Sequence, residues 1–288
     1  MHISEINIYP IKSLKGISLD SALVEPRGLQ NDRRWMLTTP DGRFMTQREF
    51  PRMATIEAGI GDGLYLTADG FGTLEIPFEP DTGNRQQVTI WQSVCEGEIF
   101  PATVNEWFSD VLKTDCQLVY MPDDSRRDIS EMFNRGDEIV SFADGYPLLV
   151  IGEASLDDLN GRLASGTLAV QSLPMNRFRP NIVVSGSEAF AEDSWERITV
   201  GEAVFRGTKP CARCVMTTVD QAKGDFAGKE PLKTLATYRL ASELMPERLD
   251  RLGLAPTAVL FGQNLVGETP GADIRVGDPV NVMTTFDR

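Results

Sequence analysis

Apolar and polar side chains alternate from the first residues of the chain. Ile6 and Ile8 fall on one face and Asn7 and Tyr9 on the other, and Pro10 breaks the run, which predicts a half-buried strand over residues 3–11. Lys12-Ser13-Leu14-Lys15-Gly16 follows as a basic, small-residue loop, a shape suited to cradling an anion. The run Arg33 to Thr39 predicts a strand, with Pro40-Asp41-Gly42 as a turn into a partner strand carrying Thr46 and Arg48. Asp62-Gly63 and Asp69-Gly70 punctuate the short runs Leu64 to Thr67, Leu74 to Ile76 and Val88 to Trp91, the signature of successive hairpins. Val104, Trp107, Phe108, Val111 and Leu112 then recur at spacings of three and four, which predicts an amphipathic helix packed on a sheet. A strand at Gln117 to Tyr120 closes this β-rich half. The polar, charge-dense segment Met121 to Asp128 marks a domain boundary.

Past a turn at Ala143 to Pro147, the pattern predicts a helix capped by Ser155 with Leu156, Leu159 and Leu163 on one face. Arg177-Phe178-Arg179-Pro180-Asn181 leads into a strand at Ile182 to Val184. Pro231 opens a helix bearing Leu232, Leu235 and Tyr238, and Ile274 to Val282 reads as strand, turn, strand. Val200 to Val204 echoes the centre of that last segment, over too few residues to make a repeat.

With 288 residues the chain can bury a full core as one large or two ordinary domains. No basic segment followed by an apolar stretch opens it, and apolar runs such as Tyr146 to Ile151 fall well short of the roughly 18 residues of a membrane helix. Few cysteines and no secretory signal predict a cytoplasmic protein without a membrane partner. The net charge of −14 argues against nucleic acid. It is unevenly spread: residues 1–60 hold 8 Lys and Arg against 7 Asp and Glu, so the acidity belongs to the remainder.

The chemistry concentrates at Lys209-Pro210-Cys211-Ala212-Arg213-Cys214, where two of the four cysteines stand three positions apart between cations. Cations beside a cysteine favour the thiolate, a soft metal ligand and nucleophile. The β-branched run Val215 to Val219 predicts a strand, with Cys214 at its entrance. Zinc would need two more ligands, and the rest of the chain offers Cys95, Cys116 and His2. A thioredoxin-like dithiol wants the pair to open a helix after a strand; a structural disulfide is disfavoured in a reducing compartment, and two buried cysteines remain an alternative. Four basic or polar strand entrances accompany the pair: Lys12-Ser13, Arg33-Arg34, Arg177 to Asn181 and Lys209 to Arg213. Converging, they would form a pocket for a phosphate-bearing cofactor beside a thiolate.

Ile8-Tyr9-Pro10-Ile11-Lys12-Ser13, Asn31-Asp32-Arg33-Arg34-Trp35, Phe178-Arg179-Pro180-Asn181-Ile182-Val183, Ala191-Glu192-Asp193-Ser194-Trp195, and Cys211-Ala212-Arg213-Cys214 through Asp220 together resemble the MOSC-domain proteins, the amidoxime-reducing components among them. The resemblance runs in order over nearly the whole chain. It implies an α+β, β-rich fold, with a MOSC N-terminal β-barrel-like domain over residues 1–121 and a MOSC β-barrel domain with peripheral helices over 128–285. It also implies a molybdenum cofactor (Mo-molybdopterin), with Cys214 as the metal ligand and catalytic residue. Lys12, Ser13 and Arg33 match cofactor-binding positions of the first domain, and Arg179, Ala212, Arg213 and Asn264 those of the second. Gly145 and Tyr146 match a loop near the pterin, and Cys211 stands beside the ligand without binding the metal. Pyridoxal phosphate binding is a further association the resemblance carries.

The implied activity is reduction of N-hydroxylated compounds such as amidoximes and hydroxylamines. The alternative is a carrier of molybdenum cofactor or of sulfur, with a persulfide on Cys214. The targeting and membrane segment of mitochondrial members is missing, as is the C-x4-C-x2-C spacing of the ferredoxin domain that ends some bacterial ones. Electrons are therefore expected from a separate protein, a ferredoxin or a b-type cytochrome with its reductase.

Overall fold

A computed structural model describes residues 1–165 and 172–286. The fold is α+β and β-rich. Its largest sheet has eight strands, in the order Ile17–Leu19, His2–Ile8, Ile182–Ser185, Leu148–Gly152, Val259–Gly267, Ala203–Arg213, Trp195–Val200 and Val280–Thr285. Only Leu148–Gly152 and Ile182–Ser185 run parallel, and the helix Glu153–Ser165 lies between them in the chain, as a parallel connection requires. Ile3, Ile6 and Ile8 meet Val150, Ile182, Trp195 and Phe205 in the core against this sheet.

The predicted hairpins form a meander of Glu57–Ile60, Leu64–Ala68 and Gly72–Ile76. Beside it a four-stranded antiparallel sheet orders Trp35–Thr38, Gln117–Tyr120, Ser93–Ile99 and Arg85–Ile90. The amphipathic helix forms over Ala102–Leu112 and buries Val104, Phe108 and Val111 with Trp35, Leu37 and Leu118 in a second core. Hydrogen bonding crosses between the halves of the chain, because the first strand pairs with Ile182–Ser185.

Three local expectations are corrected. Thr46 and Arg48 do not lie on a strand: the Thr46 carbonyl accepts from Glu49 N and Phe50 N and its hydroxyl from Arg48 N, so local bonds wind the segment into a turn. Ser155 is not a cap. It is the third residue of a helix that leaves its strand with no loop, and its hydroxyl donates to Glu192 Oε2 (2.9 Å) and accepts from Phe190 N (2.7 Å).

The third concerns the cysteine pair, where the strand precedes Cys214 and a 3-10 turn, Val215–Thr218, follows it. The Thr217 and Thr218 hydroxyls donate to the carbonyls of Cys214 and Val215 three residues back, holding the turn against the β preference of the run. Pro210, with no N–H, sits where the register of Ala203–Arg213 shifts against Val259–Gly267.

Candidate active site

The loop after the first strand is laced to the strand at Trp35 by Arg33 N to Tyr9 O (3.0 Å), Lys12 N to Trp35 O (2.8 Å) and Trp35 N to Pro10 O (3.1 Å). Phe142 N donates to Arg33 O and brings the 141–146 segment alongside, while Asn181 links the first strand to Leu149. These bonds surround a cavity of about 560 Å³ between the two halves of the chain. All ten residues expected at the site line it: Lys12, Ser13, Arg33, Gly145, Tyr146, Arg179, Ala212, Arg213, Cys214 and Asn264. Arg177 does not. It lines a separate cleft with Asp220.

Within a chain of net charge −14, the described residues lining this cavity include Lys12, Arg33, Arg48, Arg179, Lys209 and Arg213 against a single carboxylate, Asp144. Arg33 and Arg179 place their guanidinium carbons 4.4 and 4.1 Å from the centroid of the Tyr9 ring. Arg33 is fixed by Asp32 Oδ2 (2.5 Å) and Asn181 Oδ1 (2.9 Å), and Arg179 by Leu14 O (2.7 Å). Burial lowers the Arg179 pKa to about 10, with Tyr9 opposing and Arg33 adding to the effect. Lys12, also buried, is pushed down to about 8 although Asp144, 2.5 Å from its Nζ, pulls the other way. Burial would raise the Asp144 carboxyl, but Lys12 and Arg48 together outweigh it and hold it well below the usual range.

Two features mark this cavity as built for a ligand. Arg179 Nη2 and Arg48 Nη1 are buried N–H groups with no acceptor, a costly state unless an acceptor arrives. Of the seven described non-glycine residues with left-handed backbone, Ser13, Arg33, Trp91 and Arg179 line the cavity, so backbone strain gathers where side chains must be aimed.

Cys214 caps the strand end, and its Sγ accepts from Arg48 Nε at 3.3 Å. Cys211 Sγ accepts instead from Arg213 Nη1 (3.1 Å), whose Nη2 is tied to Phe178 O (2.7 Å). All four cysteines are free; burial pushes the Cys95 and Cys116 thiols up to about 11, and no cluster of three or more potential metal ligands from His, Cys, Asp and Glu occurs among the described residues. The four-ligand zinc arrangement therefore has no geometric support.

Arg48, Asp144 and Trp91 escaped the reading of the sequence. Arg48 arrives because Gln47 donates to Ser13 O (2.7 Å) and accepts from Gln221 Nε2 (2.9 Å), pinning the 46–48 turn across the cleft. Asp144-Gly145 has the same composition as the turns Asp62-Gly63 and Asp69-Gly70, and the resemblance singled out Gly145 and Tyr146 there but not the carboxylate.

This β-rich frame holds a cysteine pair in a cationic cleft, and the chain matches the MOSC family along its length. Residues 1–115 match the MOSC N-terminal beta barrel domain and residues 137–281 the MOSC domain. The chain belongs to the MOSC family. It is 34% identical over 292 residues to mitochondrial amidoxime-reducing component 1 of Homo sapiens, covering 98% of this chain and 82% of that one, and 36% identical to the Mus musculus protein over the same shares. It is also 33% identical over 254 residues to the molybdenum cofactor sulfurase of Oryza sativa subsp. japonica, covering 83% of this chain and 31% of that one. The solved YUAD protein from Bacillus subtilis aligns over 96% of this chain and 92% of its own at 10% identity, with a TM-score of 0.40. No helix among the described residues is long and apolar enough to cross a membrane.

Proposed function

We propose that this protein is a molybdenum-cofactor-dependent reductase of N-hydroxylated compounds, among them amidoximes, hydroxylamines and N-hydroxylated bases. The observation that carries the reading is the cavity itself: six cations, two with buried unpartnered N–H groups, around the free thiols of Cys211 and Cys214 in an acidic protein. The relatives named amidoxime-reducing components support the reductive activity.

The residues fit the group. Lys12, Arg33, Arg179 and Arg213 would take the phosphate and polar edges of the pterin, with Ser13, Gly145, Tyr146, Ala212 and Asn264 lining the walls and the Cys214 sulfur binding the metal. When bound, the cofactor supplies two-electron chemistry that removes oxygen from nitrogen. Asp144, held ionised, accepts from Lys12 and Arg48, and so ties Lys12 to the guanidinium that meets the Cys214 thiol. A pyridoxal phosphate would satisfy the cations but leave Cys214 without a role. Residues 1–121 and 128–285 both supply walls of the cofactor site in this reading, with the first strand seated in the sheet of the second half, in a cytoplasmic setting that keeps the cysteines reduced.

Electrons come in this reading from a separate protein, a ferredoxin or a b-type cytochrome with its reductase. The test is to load the protein with cofactor, supply reduced viologen dye and offer hydroxylamine or benzamidoxime. Reduction with dye, absent with NADH alone and restored by a partner pair, supports the enzyme. Full loading with no reduction favours the alternative, a cofactor or sulfur carrier with a Cys214 persulfide, to which the rice relative's name lends weight.

A further inference from the structure

The tip of the hairpin between Arg85–Ile90 and Ser93–Ile99 is the two-residue turn Trp91-Gln92, closed by the pairing of Ile90 with Ser93. Trp91 has φ +56°, whereas Gln92 is not left-handed. Two-residue hairpins with positive φ only at the first position ordinarily place glycine there. A bulky residue at that backbone angle is an outlier that the turn does not require. Nor does the core require it, for the Trp91 side chain is 50% exposed.

What surrounds the indole points to a ligand. Trp91 lines the cationic cavity, and the Arg48 guanidinium lies over its ring at 4.6 Å while the same guanidinium donates to Cys214 Sγ at 3.3 Å. One guanidinium thus touches both the thiol and the indole. Phe44 packs at 5.0 Å between ring centroids, and Trp91 Nε1 donates to Asp144 Oδ1 at 3.4 Å, so the ring is held at the mouth with half its surface open.

Resting on the reductase reading, we infer that Trp91 is a specificity-determining residue whose open indole surface stacks on planar, π-conjugated N-hydroxylated substrates, favouring them over small hydroxylamines. A substrate reacting at a metal held by Cys214 would extend its body past Arg48, which joins that thiol to this ring. Aromatic surfaces in partly desolvated mouths attract flat partners through area and ring electrostatics together.

The experiment compares cofactor-loaded wild type, Trp91→Phe and Trp91→Asn in dye-driven reduction of benzamidoxime and hydroxylamine. Binding of benzamidoxime without electron donor is followed in parallel by calorimetry. Asparagine suits the turn and removes the ring; phenylalanine keeps a flat ring and loses the bond to Asp144. The expected result is a kcat/KM for benzamidoxime about tenfold lower in Trp91→Asn, mostly through KM, with a several-fold smaller fall for hydroxylamine and substantial rescue in Trp91→Phe. The melting temperature of Trp91→Asn should stay within a few degrees of wild type. Equal losses on both substrates, or a Phe variant as impaired as Asn, overturn the stacking role while leaving the reductase reading in place. No turnover of either compound by wild type overturns the reductase reading and this inference with it.

Discussion

Arg48 Nε donates to Cys214 Sγ across 3.3 Å, joining a turn of the first half of the chain to the strand end of the second. Cys211, three residues away, is served by Arg213 instead. The pair is therefore chemically unequal. Cys214→Ser should abolish reductase activity and change the metal's absorption spectrum, and Cys211→Ser should have a milder effect on both. Equal losses would indicate a dithiol acting as a unit.

Arg179 and Arg33 both pack against the Tyr9 ring and should both hold the anionic cofactor. Each charge-assisted hydrogen bond contributes about 1.5 to 3 kcal/mol, so Arg179→Ala or Arg33→Ala should weaken cofactor retention about tenfold or more. The two should differ in stability. Arg33→Ala leaves the buried Asp32 carboxylate without its cationic partner and should lower the melting temperature further than Arg179→Ala, as thermal unfolding of the cofactor-free variants would reveal.

Lys12 gives a pH signature. Burial lowers its pKa to about 8, so a cofactor anion that needs the ammonium should bind less tightly as pH rises through that value. Folding follows the opposite sign: the buried charge is a penalty below about pH 8, and it is relieved as pH climbs from there toward the unfolded value of 10.5. Lys12→Gln should remove the alkaline limb of the binding profile. Retention that falls identically in wild type and variant above pH 8 would assign the limb to another group.

Much of this was legible in the sequence, and the residues show why. Period-two alternation at Ile6 and Ile8 and helical spacing at Val104, Phe108 and Val111 report burial directly, so those elements form where expected. Val215 to Thr218 misled because hydroxyl bonds to carbonyls three residues back, invisible in a propensity, decide their conformation. Motif residues such as Arg33 and Arg179 could be named because their local runs are distinctive. Arg48 and Asp144 could not, because long-range bonds to Ser13, Gln221, Lys12 and Cys214 bring them to the site.

Glu192 tests the scaffold apart from the chemistry. It is fully buried, accepts from Gly152 N (3.2 Å) and Ser155 Oγ (2.9 Å), and is raised to about 7 by burial and then by Asp193. The folded state therefore holds its proton longer than the unfolded chain, and stability falls as pH rises from 4.5 toward 7. Glu192→Gln should stabilise the protein at pH 8 by up to about 3 kcal/mol, with the gain vanishing near pH 4.5. Denaturant melts at the two pH values would measure it; a gain independent of pH would mean that ionisation of Glu192 is not its source.

The central claim is that this cavity holds a molybdenum cofactor through Cys214. Metal analysis with pterin release, on wild type and Cys214→Ser purified from cells that supply the cofactor, tests it most directly. The account predicts stoichiometric molybdenum and pterin in wild type and loss of the metal in Cys214→Ser. Wild-type protein that carries neither, or a variant that retains as much molybdenum as wild type, would contradict it.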